Sequence, residues 1–99
     1  MNLTIESFEL AKEIIENSLK MSDQNFDIYV KQSINDFIIT FDMNEMENRR
    51  KVQSFLSHLS ALYLNIMLNG HLYLFGEKEE KLAQQGRSII INIIEKYRN

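Results

Sequence analysis

The sequence predicts an all-α fold, a small irregular bundle of about four helices, and three observations carry that prediction. The first is a run of 25 residues, Val52 to Gly76, without one Asp, Glu, Lys or Arg. Within it Val52, Phe55, Leu56, Leu59, Leu62, Tyr63, Ile66 and Met67 fall on one face of a helix. The second is apolar residues three and four apart in the stretches on either side. The third is that neither Gly nor Pro marks a turn within residues 26–43, where a hairpin would need one. With 99 residues, 44% of them apolar and 25% charged, the chain is expected to form one globular domain over residues 1–99.

The first helix is predicted from Thr4 to Lys20. Ile5, Phe8, Ala11, Ile15 and Leu19 form its apolar side, and Glu6, Glu9, Glu13 and Glu16 gather opposite. Residues 21–25 break the chain, with Ser22 and Asp23 as N-cap candidates for the second helix. That helix is predicted from Phe26 to Met43 on the ladder Phe26, Val30, Ile34, Phe37, Ile38 and Phe41, which leaves Ile28 and Ile39 on the other side. Ile38 should then be more protected than Ile39. Its rival is one short hairpin over residues 26–43, which would make the fold α+β, because residues 37–41 are rich in strand formers.

The third helix is predicted from Met46 to Asn69, with Asn69 and Gly70 as a C-cap pair leaving through a left-handed residue. Residues 71–76 connect, either as a half-buried extended piece or as the first turn of the next helix. The fourth helix is predicted from Glu77 to Tyr97, with Leu82, Gly86, Ile89, Ile90, Ile93 and Tyr97 in its stripe. Gly86 lies in that stripe, where a missing side chain lets a neighbouring helix approach closely; the alternative is a helix that begins after it.

The residues offer little chemistry. No cysteine is present, which removes disulfides, thiolate metal sites and thiol nucleophiles. Ser54 and His58 stand one turn apart, but no acid on the same helix orients the imidazole, so they read as polar surface. His71 reads as a loop residue. Glu9, Glu13 and Glu16 could face a hard cation, yet neither histidine has a Glu three positions before it, as di-iron bundles require. Gly70, Gly76 and Gly86 lack the spacing of a phosphate loop. The expectation is a non-enzymatic protein with no catalytic, metal or cofactor residues and no cofactor.

Three sets of residues are candidates for contact. The acidic strip Glu6, Glu9, Glu13 and Glu16 is the first candidate for binding a protein partner. The back of the third helix, with Ser54, Ser57, Ala61, Leu64 and Leu68, lacks the charges of an exposed face, so either another helix or a second protein covers it; as an interface it would make a homodimer. Arg49, Arg50 and Lys51 form the one dense basic patch, at a helix start that disfavours positive charge. Pairing with Glu45, Glu47 or the first helix is the plain reading of that patch. Nucleic acid is disfavoured by the net charge of −3 and the shortness of the cluster.

Charge is uneven along the chain. Residues 1–48 carry ten acids against three lysines, −7, and residues 49–99 carry eight bases against four acids, +4. The asymmetry either holds the halves together or steers a basic partner. The core-helix reading is favoured over a membrane span by Ser57, His58, Ser60, Asn65, Asn69, Gly70 and His71 within the uncharged run. The acidic amphipathic start, Met1 to Glu16, lacks the basic and apolar regions of a secretory signal, so a cytoplasmic setting is expected. Ile, Asn and Lys fill about 30 positions and have AT-rich codons, which suggests a low-GC bacterium, its phage or a mobile element. The functional expectation is a small inhibitor, immunity protein or regulator that covers a protein partner. A self-associating assembly module is the alternative, and a nucleic-acid regulator using Arg49, Arg50 and Lys51 comes third.

Overall fold

The computed structural model describes residues 4–97; Met1, Asn2 and Leu3, at the start of the acidic stretch, and Arg98 and Asn99 lie outside the described residues. Four α-helices occur in succession: α1 (Ile5–Ser18), α2 (Asp23–Ile38), α3 (Met46–Asn69) and α4 (Glu77–Lys96). A short 3-10 helix, Gly70–Tyr73, continues α3 as an apical turn. Helices hold 83% of the described residues, and no strand occurs among them.

Local chemistry sets the ends. Thr4 Oγ1 accepts the Ser7 N–H at 3.1 Å, closing the start of α1. The Gly76 N–H donates to Glu79 Oε1 at 2.8 Å, so an N3 glutamate reaches back over the start of α4. The second helix begins at Asp23, earlier than the predicted Phe26, because Ser22 adopts the extended N-cap conformation and its carbonyl accepts the Phe26 N–H. It ends at Ile38 instead of Met43. There the Thr40 hydroxyl donates to the Phe37 carbonyl at 2.7 Å, Asp42 Oδ1 accepts the Asn44 N–H, and Asn48 Nδ2 donates to the Asp42 carbonyl. The hairpin does not form. Phe41 and Met43 fold back on the core from the loop, with the Phe37 and Phe41 rings 5.1 Å apart. Ile38 is 8% exposed and Ile39 68%, as the helical ladder requires.

The helices α1 and α4 pack directly on α3, while α2 lies chiefly against α4 and α1 and reaches α3 through aromatic side chains. Phe37 stacks on Phe55 with ring centroids 3.9 Å apart and Phe26 meets Tyr63 at 6.2 Å, which runs α2 antiparallel to α3. Gly86 lies on Tyr63 and Gln53 Nε2 donates to the Tyr97 carbonyl at 2.9 Å, which runs α4 antiparallel as well. Phe8 meets His58 and Ser18 meets Tyr63, so α1 runs parallel to α3. The bundle is up-down-up-down around α3, whose Val52, Phe55, Leu56, Leu59 and Tyr63 are completely buried.

Gly86 acts as its place in the stripe predicts. A Cβ there would stand 2.6 Å from Tyr63 Cε2 and Cζ, closer than carbon atoms approach, so only glycine lets the tyrosine ring lie flat on α4. The helix runs through it from Glu77 and does not begin after it. Two stripe assignments shift. Ile5 is 74% exposed and Phe8 is exposed, while Ile14 and Ser18 are buried in their place, because the inward arc of α1 centres on Ala11, Ile14 and Ser18. Ile93 is half-buried, bordering a hollow between α2 and α4.

Candidate protein-binding surface

The end of α3 departs from the predicted cap. Gly70 is right-handed (φ −56°, ψ −33°) and carries the chain straight into the apical turn; the left-handed residue is Leu74 (φ 62°, ψ 28°). Around it the Leu74 N–H donates to the His71 carbonyl at 3.3 Å and the Phe75 N–H to the Gly70 carbonyl at 3.0 Å, a Schellman pair of bonds. Residues 71–76 are therefore neither an extended connector nor the start of α4. A left-handed conformation costs a leucine about 1–2 kcal/mol. Burial does not offset it, since the Leu74 side chain is 94% exposed. Leu72 is 69% exposed, and Leu68 and Tyr73 are exposed beside it.

Hydrogen bonds tie this tip to α3. Asn69 Nδ2 donates to Asn65 Oδ1 at 3.0 Å, and Asn65 Nδ2 donates to the Tyr73 hydroxyl at 3.0 Å, so two amides on successive turns of α3 pin the tyrosine. Its ring lies 6.2 Å from that of Phe75. Below the tip a hollow of about 310 Å³ opens between α1 and α3, walled by Ile15, Leu19, Leu62, Ile66, Tyr73 and Phe75. Lys12 and Glu16 stand at its mouth, 3.9 Å apart and both exposed. A second hollow of about 280 Å³ adjoins it, sharing Glu16, Leu19 and Phe75 and adding Lys20 and Glu79. An apolar floor with charges only at its rim suits an inserted apolar side chain.

The residues singled out from the sequence fall around this surface unevenly. Glu6, Glu9, Glu13 and Glu16 are all exposed on α1, and Glu16 joins their strip to the hollow. The strip is also interrupted by Lys12, which pairs with Glu16 one turn on. On the back of α3, Ser57, Ala61 and Leu68 are exposed and Ser54 and Leu64 half-buried; no helix of the bundle covers them. Arg50 is exposed, with Arg49 and Lys51 half-buried at its sides. Among the described residues none of the three forms an ion pair with Glu45, Glu47 or α1, so the plain pairing is not made. No ion pair among the described residues links the acidic and basic halves either. Apolar packing holds them, with the Ser18–Tyr63 and Asp27–Gln85 hydrogen bonds crossing between the halves.

His58 packs edge-on against Phe8, with ring centroids 4.9 Å apart, and makes no hydrogen bond to Ser54 among the described residues. No three His, Asp or Glu side chains among the described residues gather as metal donors. No helix among them is long and apolar enough to cross a membrane. Among the described residues the Nε atoms of Arg49 and Arg87 are buried without a hydrogen-bond partner, and one chain of buried side-chain hydrogen bonds runs through Ser18. Ser18 Oγ donates to the Ile15 carbonyl at 2.9 Å, and the Tyr63 hydroxyl, 2.7 Å away, donates to Ser18 Oγ. Burial pushes the Tyr63 phenol well above the ordinary tyrosine range.

The apical residues Leu72, Tyr73, Leu74 and Phe75 were legible only as a connector. Four large apolar residues in an uncharged loop bracketed by Gly70 and Gly76 were the available signal, since surface loops seldom carry such a run. A hollow of about 590 Å³ between α2 and α4 was not anticipated; Ile34, Ile38, Ile89 and Ile93 floor it, and an Asp27–Gln85 hydrogen bond crosses from one helix to the other. No protein-family model, curated protein or solved structure matches this chain.

Proposed function

We propose that the chain is a cytoplasmic, non-enzymatic protein-binding module of the inhibitor, immunity or regulatory kind, which covers a surface of a protein partner with its apical tip. One observation carries the reading. Leu74 holds a strained backbone and a fully solvated apolar side chain at the same position, two costs that folding alone gives no reason to combine. The tip stands above an apolar hollow whose mouth meets the α1 carboxylates, so the surface suits a partner segment with apolar side chains flanked by basic ones. Leu74 and Tyr73 enter the partner, and an apolar partner side chain enters between α1 and α3.

The test is capture of the partner from an extract of the native host on the wild-type protein and on Leu74→Gly, with titration of the purified pair. A one-to-one complex weakened on the order of tenfold or more by the substitution is expected for a central anchor. A partner that binds both proteins equally would place the interface elsewhere.

A further inference from the structure

We infer that the hollow between α2 and α4 is a docking site for an acidic amphipathic helix of a protein partner. The hollow has its origin in the sequence of α2. That helix holds neither Gly nor Ala, so its inward Ile34 and Ile38 keep α4 at a distance, whereas Gly86 lets α4 close onto Tyr63 of α3. A space of about 590 Å³ stays open along the seam. Both helices run antiparallel to α3 and therefore parallel to each other, and the Asp27–Gln85 hydrogen bond sets their register. From that bond the seam reaches Ile38 on α2 and Tyr97 on α4, about 16 to 18 Å or roughly three helical turns.

The cross-section of the seam chooses a helix. Its floor is apolar, made by Ile34, Ile38, Ile89 and Ile93, and its rims are polar on both sides. Asn35 stands on the α2 rim and Ser88 and Asn92 on the α4 rim, all exposed and with no side-chain hydrogen bond among the described residues. An amphipathic helix offers one apolar ridge between two polar flanks, with its own backbone groups already paired, and so matches floor and rims together. An acyl chain matches the floor alone and would cover the rim amides and hydroxyl with methylenes.

Charge sets the sign of the guest. Lys31 and Lys96 stand on opposite rims, both exposed and neither in an ion pair among the described residues. Asp27, one turn before Lys31, is the one acid on the walls among the described residues, and its carboxylate is turned across the seam to Gln85. Counted from the Asp27–Gln85 level, Lys96 lies level with Ile38, seven residues beyond Lys31 and about 10 Å along the seam. A guest helix meets both lysines with one acid on each flank of its ridge, about two turns apart. The seam lies on the face opposite the hollow between α1 and α3, and it suits acidic flanks where the tip suits basic ones, so the inference stands apart from the partner-binding reading.

The probe is a capped synthetic peptide of about four turns, with a leucine ridge flanked on both sides by glutamates, beside a twin with lysines in their place. In fluorescence anisotropy at low salt the glutamate peptide is expected to bind saturably and the lysine twin at least about tenfold more weakly. Lys31→Glu with Lys96→Glu, both at exposed positions, should reverse that preference, while Arg50→Glu in the basic patch should leave it unchanged. Decanoate should not displace the peptide below millimolar concentration. No saturable binding, equal binding of the two peptides, loss of binding in Arg50→Glu, displacement by micromolar decanoate, or a wild-type dimer that the lysine reversals dissolve in sedimentation velocity would each overturn the proposal.

Discussion

Tyr63 and Gly86 are one unit. The ring lies where a side chain on Gly86 would be, and its hydroxyl is tied to Ser18 on α1, so it can yield only by breaking a buried bond. Helix propensity alone would make Gly86→Ala stabilising by about 1 kcal/mol. The opposite is expected, a loss of about 1–3 kcal/mol from overpacking, read as a lower midpoint in urea. A more stable variant would show that the ring is free to move. The phenol adds a pH dependence. Burial holds its folded pKa above the ordinary value, so the unfolded chain ionises first as pH rises. Its contribution is intact below about pH 10 and falls above it, by about 1.4 kcal/mol per pH unit, until the folded phenol ionises too. Tyr63→Phe should flatten that part of the stability profile relative to wild type; parallel profiles would mean that the hydroxyl reaches water.

The helices differ in how far their residues revealed them. In α3 every fully buried position lay on the predicted face, because long uniform periodicity leaves one solution. In α2 the ladder identified the helix but not its end, which depends on hydroxyl and carboxylate bonds from Thr40 and Asp42 that no periodicity records. In α1 the buried Ser18 broke the apolar rule, since its hydroxyl is satisfied by two partners supplied only by the fold. The four glutamates were legible and are exposed. Replacing Glu9, Glu13 and Glu16 with Gln should leave α1 folded, slow association with a basic partner and flatten its salt dependence, measured as on-rates over a salt series. On-rates equal to wild type across that series would reduce α1 to a cover for the core.

For the molecule as a whole, the proposed function rests on the surfaces that the bundle leaves uncovered. The acidic and basic halves are joined by apolar packing and by the Ser18–Tyr63 and Asp27–Gln85 hydrogen bonds, with no ion pair between them among the described residues, so most of their charges remain available at the surface. The candidate site was half legible: the α1 carboxylates and the back of α3 stood out in the sequence. The apical tip did not, because Asn69-Gly70 offered an ordinary place for the left-handed residue and the fold put that residue four positions later, on a leucine. The central claim is that Leu74 is retained for a partner against the interest of stability. It is tested most directly by the melting temperature of Leu74→Gly beside wild type. Relief of the left-handed strain, less the entropy of an added glycine, should give a net gain of up to about 1 kcal/mol. That gain corresponds to a rise of up to about 4–8 °C for a domain of this size. A melting temperature lowered by the substitution would contradict the claim, since Leu74 would then be serving the fold.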